Sequence, residues 1–130
     1  MGSRRIERLN EQFKREISDI VRNEVKDPRV GTPVITAVET SPDLTFARAY
    51  IMVSGTEEER RQTLEGLRAA APFIRGELGR RLHIRRAPEL RFEFDRGLEH
   101  ALRIEQLLRE AAGQGGESGD ESAADLDDDR

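Results

Sequence analysis

From residue 4 to 26, Ile6, Leu9, Phe13, Ile17, Ile20, Val21 and Val25 return every three or four positions, the period of one helix face. Asp27-Pro28 predicts the end of that helix, because the residue before a proline is driven out of helical angles. At 1.5 Å per residue such a helix is ~33 Å long, enough to lie across a small sheet. Residues 28–33 read as a loop from their turn residues. The period then shortens to two. Residues 34–41 are rich in Val, Ile and Thr and predict a strand. After a Ser41-Pro42-Asp43 turn, residues 44–53 predict a second strand. It puts Ala47, Ala49, Ile51 and Val53 on one face and Phe46, Arg48, Tyr50 and Met52 on the other. A connection this short makes the two strands an antiparallel hairpin.

Ser54-Gly55 ends the hairpin, and Thr56 with Glu59 has the spacing of a capping box. Glu57, Glu58 and Glu59 also suit the positive end of a helix dipole. The helix that starts here runs through Leu64 and Leu67 and meets Ala69-Ala70-Ala71-Pro72. Proline lacks an amide proton, and its ring clashes with the carbonyl four residues back. The expectation is a kink at Ala70-Ala71 and a second helix from Pro72, a residue suited to a first helical position, to about Leu82. Beyond Ala87-Pro88, Leu90, Phe92 and Phe94 alternate with Arg91, Glu93 and Asp95, predicting a third strand with one buried face. Residues 98–111 predict a last helix, with Leu98, Leu102, Leu107 and Leu108 as its main apolar positions. The order α-β-β-α-kink-α-β, followed by a C-terminal helix, predicts an α+β fold with helices segregated against a three-stranded sheet.

Charge divides the chain of 130 residues unevenly. Residues 1–112 hold 21 Lys/Arg and 19 Asp/Glu, a net of +2; residues 113–130 hold one Arg and seven acids, a net of −6. The overall −4 therefore misdescribes the folded body and does not exclude an anionic partner. We expect one domain over 1–112 and a disordered acidic tail over 113–130, because that tail has too little apolar surface to offset its ordering entropy. Asp127-Asp128-Asp129 is read as part of this solvated tail and not as a metal site. The absence of cysteine removes thiolate chemistry and disulfides. No apolar run approaches the ~20 residues of a membrane span. The N-terminus has no signal-peptide core, and Ile6 breaks the myristoylation pattern. These features give the expectation of a cytoplasmic protein.

One stretch stands apart. Residues 67–86 hold Arg75, Arg80, Arg81, Arg85 and Arg86 between positions 75 and 86, against the single acid Glu77. On a helical wheel Ile74, Leu78 and Leu82 form an apolar stripe. Gly76, Gly79 and His83 cluster opposite, flanked by Arg75 and Arg80. Glycine costs about 1 kcal/mol relative to alanine inside a helix, so two on one face imply close approach of something to the backbone. Two readings stand: a sugar-phosphate backbone clamped by the flanking guanidinium groups, or a neighbouring helix packed there. Arg4, Arg5 and Arg8 at the chain start belong to a solvated mixed-charge face or reach phosphate. No catalytic constellation is present: no phosphate-binding glycine loop, no dinucleotide fingerprint, and no partner motif for His83 or His100. The expectation is a non-enzyme with no cofactor, no metal and no small-molecule substrate. Helix ends and arginine forks are good phosphate ligands.

The residues then become specific. RRIERLNEQFKREISDIVRNEVKDPRV (4–30), ETSPDLTFARAYIMVSG (39–55) and LRAAAPFIRGELGRRLHIRRAPELRFEFDRGLEHALRIEQLL (67–108) resemble the ribosome-binding factor A family, with the DPRV, SPDL, FIR and PELRF pieces in that family's order. The resemblance implies a single type II KH-like domain. In that family an Ala-x-Gly kink replaces the usual Gly-x-x-Gly loop; here it reads Ala70-Ala71-Pro72, with proline at the glycine position. Gly76-Glu77-Leu78-Gly79 has the ordinary KH spacing but falls within the amphipathic helix. The resemblance further implies binding to the free 30S subunit and 16S rRNA late in maturation, around the 5′-end helix and the decoding-region neck. It also implies assistance to 16S rRNA processing, release by a small-subunit-dependent GTPase, and a link to cold-adapted growth. The RNA-binding residues expected are Arg4, Arg5, Arg8, Ala70, Ala71, Arg75, Gly76, Gly79, Arg80, Arg81, Arg85 and Arg86. A protein-interaction adaptor, working through the first helix or the kinked pair on a ribosomal protein or GTPase, is the alternative.

Overall fold

The computed structural model of the chain describes residues 2–113. The expected acidic tail, apart from Gly113, lies outside the described residues. The elements in order are α1 (Gly2–Asn23), β1 (Val34–Thr40), β2 (Phe46–Met52), α2 (Glu57–Leu82), β3 (Glu89–Phe94) and α3 (Arg96–Ala112). The chain divides into two units, one ending at Asp95 and one beginning at Arg96.

In the first unit the sheet order is β1-β2-β3. β1 and β2 form the expected antiparallel hairpin, with Ala37 opposite Tyr50 and Thr40 opposite Ala47, and a bulge between Ile35 and Ala37. β3 runs parallel to β2, with Ala47 beside Leu90 and Ala49 beside Phe92. A parallel neighbour needs a crossover, and α2 supplies it. α1 packs on β1, α2 packs on β3, and the two helices touch each other. The core lies between them and the sheet. Phe13, Ile17 and Ile20 of α1 meet Leu67, Ile74 and Leu78 of α2 over Ala47, Ala49 and Ile51 of the central strand. The two alanines are fully buried. Their small side chains let both helices approach the middle of the sheet, which is why this strand alternates alanine with polar and aromatic residues.

Strand and helix ends shift by one or two residues from the sequence reading, and two larger differences have a physical cause. α1 stops at Asn23, ahead of Asp27-Pro28. There the amides of Glu24 and Val25 both donate to the Ile20 carbonyl, at 2.7 and 3.2 Å, so the chain leaves the helix. Val25 turns in to pack on the core, and Asp27 closes the next turn by accepting from the Arg29 amide at 2.9 Å.

The larger correction concerns Pro72. The expected pair of helices is one helix of 26 residues that runs through the proline. The physical reason is burial on both sides of it. Leu67, Ala71, Ile74, Leu78 and Leu82 make one unbroken stripe, and Leu67, Ile74 and Leu78 are fully buried. Pro72 points away from that stripe and is exposed. The proline removes one rung of the hydrogen-bond ladder, but apolar burial holds both halves on the same surface. Each end is also capped. The Thr56 side chain accepts from the Glu59 amide at 3.1 Å while the Glu59 carboxylate accepts from the Thr56 amide at 2.9 Å, as the spacing predicts. His83 ends the helix in the left-handed region, at φ 55°.

α3 forms the described part of the second unit. It is amphipathic and has no fully buried residue; Leu102, Ile104 and Leu108 are exposed.

Candidate nucleic-acid interface

The C-terminal half of α2 and the strand that follows it build a cleft. After His83 the chain reverses: the Ile84 amide donates to the Gly79 carbonyl at 2.9 Å. Residues 84–87 then run back beside the helix and enter β3. A Cβ on Gly79 would lie 3.1 Å from the Ile84 carbonyl oxygen, so the returning main chain is what comes close there. One turn earlier, a Cβ on Gly76 would meet nothing within 4 Å. The glycine face therefore splits. Gly79 serves the fold, while Gly76 lines open space among the described residues of the first unit.

The cleft between this face and β3 has a volume of about 1070 Å³. Six arginines line it: Arg68, Arg75, Arg80, Arg85, Arg86 and Arg91. Two acids also line it, and both face arginines: Glu89 lies 3.6 Å from Arg91, and Glu93 lies 3.3 Å from Arg48. Arg91 also sits over the Phe46 ring, 3.9 Å from its centroid. Arg75 Nε donates to the Ala87 carbonyl at 2.8 Å, and Arg68 donates through Nε and Nη2 to the Phe92 carbonyl at 3.3 and 3.1 Å. These bonds fix two guanidinium groups in place. Arg80 pairs with Glu77 one turn back on the helix surface. Arg85 and Arg86 are exposed on the returning segment. Phosphate is a good ligand for such a set, since each guanidinium offers a fork of donors at fixed geometry.

The structure sorts the expected residues. Ala71, Arg75, Gly76, Gly79, Arg80, Arg85 and Arg86 come together in the cleft. Ala70 packs on the core. Arg4, Arg5 and Arg8 are exposed on the first turns of α1 and are not among the residues lining the cleft. Arg81 leaves the set altogether. It faces α1, where it meets Asp19 at 2.7 Å, Glu16 at 3.1 Å and Glu24 at 3.7 Å. Hydrogen bonding to Arg81 holds the Asp19 carboxyl below its ordinary range, against an opposing effect of desolvation; the same bonds raise the Arg81 guanidinium. Neighbours in sequence, Arg80 and Arg81 point to different surfaces because a helix turns about 100° per residue.

Two cleft residues escaped the sequence reading, Arg68 and Arg91. Arg68 lies seven residues before Arg75, two helical turns away on the same face. A helix read through Pro72 would have joined them. Arg91 reaches the cleft rim only because β3 lies beside α2, which no local pattern shows. Among the described residues no cluster of His, Cys, Asp or Glu could hold a metal ion, and no helix is long and apolar enough to cross a membrane.

Fold and cleft define a small α+β module of KH-like element order that offers a row of arginines beside an open strand edge. Within that class the comparisons are specific: the model of ribosome-binding factor A matches residues 5–108, and the chain belongs to that family. It is 49% identical over 111 residues to ribosome-binding factor A of Acetivibrio thermocellus, covering 85% of this chain and 90% of that one. The crystal structure of ribosome-binding factor A from Thermus thermophilus superposes with a TM-score of 0.60 at 29% identity, over 68% of this chain and 94% of the other. A homology model of the Thermus thermophilus factor, fitted into a cryo-EM map of a complex of the 30S subunit with ribosome-binding factor A, gives a TM-score of 0.56 at 29% identity, over 67% and 91%.

Proposed function

We propose that this protein is a non-catalytic ribosome assembly factor of the cytoplasm that binds the free 30S subunit late in its maturation. The observation that carries the reading is the cleft beside β3, which six arginines line among the described residues. Its ligand is 16S rRNA, around the 5′-end helix and the decoding-region neck, and its occupancy there assists processing of that RNA. A small-subunit-dependent GTPase releases it. Membership of the family and the 30S complex of the Thermus thermophilus relative support this reading.

The mechanism needs no bond making. A factor that contacts one arrangement of an RNA better than another shifts the balance between them by its difference in affinity, and by no more. Guanidinium groups held by main-chain carbonyls suit that task, because little of their order is left to be lost on binding. Co-sedimentation tests the proposal. The protein should travel with free small subunits and not with full ribosomes. Equal recovery with both, or with neither, would sink it.

A further inference from the structure

The free edge of β3 borders the cleft, and its hydrogen-bonding groups decide what the cleft can read. The Glu89 amide donates to the Thr45 carbonyl at 3.0 Å and the Asp95 amide to the Ile51 carbonyl at 2.8 Å, both toward β2. In a parallel strand the alternate residues then turn their backbone groups outward, here Leu90, Phe92 and Phe94. A strand edge of this kind can hydrogen-bond the edges of unpaired bases, with aromatic rings to stack them. This cleft is short of both means. The outward carbonyl of Phe92 is occupied by two donors of Arg68, and the carbonyl of Ala87, just ahead of the strand, by Nε of Arg75. Among the described residues Phe92 is the one aromatic lining the cleft, and it is 1% exposed.

What the cleft chiefly offers a ligand is cationic. Arg75 keeps both terminal nitrogens, Arg85 and Arg86 are exposed, and Gly76 leaves the helix backbone bare. Proteins that hold single strands without regard to sequence do so with stacking platforms. In their absence, guanidinium groups of which two are held in place, Arg68 and Arg75, are matched by phosphates that are themselves held at fixed spacing. We infer that Arg68 and Arg75 are specificity-determining residues: by filling the Phe92 and Ala87 carbonyls they curtail base readout at the β3 edge and leave a surface for the sugar-phosphate backbone of double-helical RNA, whatever its sequence. This inference rests on the reading of the cleft as an RNA site.

The test is fluorescence anisotropy of the full chain at one fixed salt concentration. The probes are two RNA duplexes of unrelated sequence and single strands of poly(A), poly(U) and poly(C) of equal length. The two duplexes should bind within about twofold of each other, and about tenfold or more tighter than any single strand. The Arg68→Met/Arg75→Met double variant should lose about tenfold or more in duplex binding. Arg68→Lys/Arg75→Lys keeps the charge but cannot form the same fork. It should keep the salt slope of duplex binding and gain a preference among the three single strands. The Lys variant carries the test if the Met variant fails to melt cooperatively.

A wild-type preference for one single strand over duplex, or discrimination between the duplexes, overturns this inference alone. So does a Lys variant with no new preference among strands. Failure of the wild-type protein to bind any of the probes overturns it together with the RNA reading of the cleft.

Discussion

Arg81 Nη1 lies 2.7 Å from Asp19 Oδ2 and ties the C-terminal end of α2 to α1. Glu16 and Glu24 share the same guanidinium, so one cation stands among three acids. Arg81→Met would leave those acids facing one another across a helix contact. The melting temperature should fall at neutral pH. The acid dependence has a definite sign. The folded Asp19 carboxyl is held below its ordinary value of about 4, so its contribution is present above that pH and is lost as pH falls through the lowered value. The gap in melting temperature between wild type and variant should therefore close below about pH 4. A gap independent of pH would assign the pair no role in stability. RNA affinity should stay unchanged.

Arg85 and Arg86 should behave in the opposite way. Both are exposed and line the cleft. Arg85→Gln/Arg86→Gln should leave the melting temperature in place while weakening binding to the small subunit. Each lost phosphate contact should lower the slope of log K against log salt by about 0.7–0.9. A salt titration of wild type and variant reads this directly, and an unchanged slope would remove these residues from the contact.

The two helical glycines should respond differently. Gly76→Ala places a methyl group in open space and should stabilise the helix by about 1 kcal/mol. It should also weaken RNA binding, because the methyl stands where a ligand approaches the backbone. Gly79→Ala sets a methyl 3.1 Å from the carbonyl oxygen of Ile84, a residue whose amide is bonded to the Gly79 carbonyl. It should lower stability relative to Gly76→Ala. Urea denaturation of both variants checks the ordering.

Pro72→Ala tests the continuity of α2. If helical order is maintained across this point by Leu67, Ile74 and Leu78, alanine restores the missing amide without moving the stripe. Stability should rise, by up to ~3 kcal/mol on the host–guest scale. A drop in stability would mean that the proline shapes the packing of the helix and does not merely interrupt its ladder.

Leu67→Ala checks the core beneath the cleft. Leu67 is fully buried where both helices meet the central strand. Truncation should cost about 2–5 kcal/mol, the range of leucine-to-alanine changes in packed cores. A cost well under 1 kcal/mol in urea denaturation would place the centre of the core elsewhere.

Much of the architecture was legible in the chain because its causes are local. The three-and-four spacing from Ile6 to Val21 marks α1, and the alternation around Ala47 and Ala49 marks β2. Thr56 and Glu59 stand three residues apart and cap α2 as their spacing requires. Each of these rests on contacts within a turn or across a tight hairpin, which the order of residues settles by itself. Tertiary packing decided the rest. It carried α2 through Pro72, because burial of Leu67, Ile74 and Leu78 on one surface outweighs a single missing hydrogen bond. It laid β3 parallel to β2, drew Arg68 into the cleft and turned Arg81 out of it to meet Asp19, 62 residues away in the chain. Such pairings depend on which surfaces the core brings together, and no local spacing encodes them.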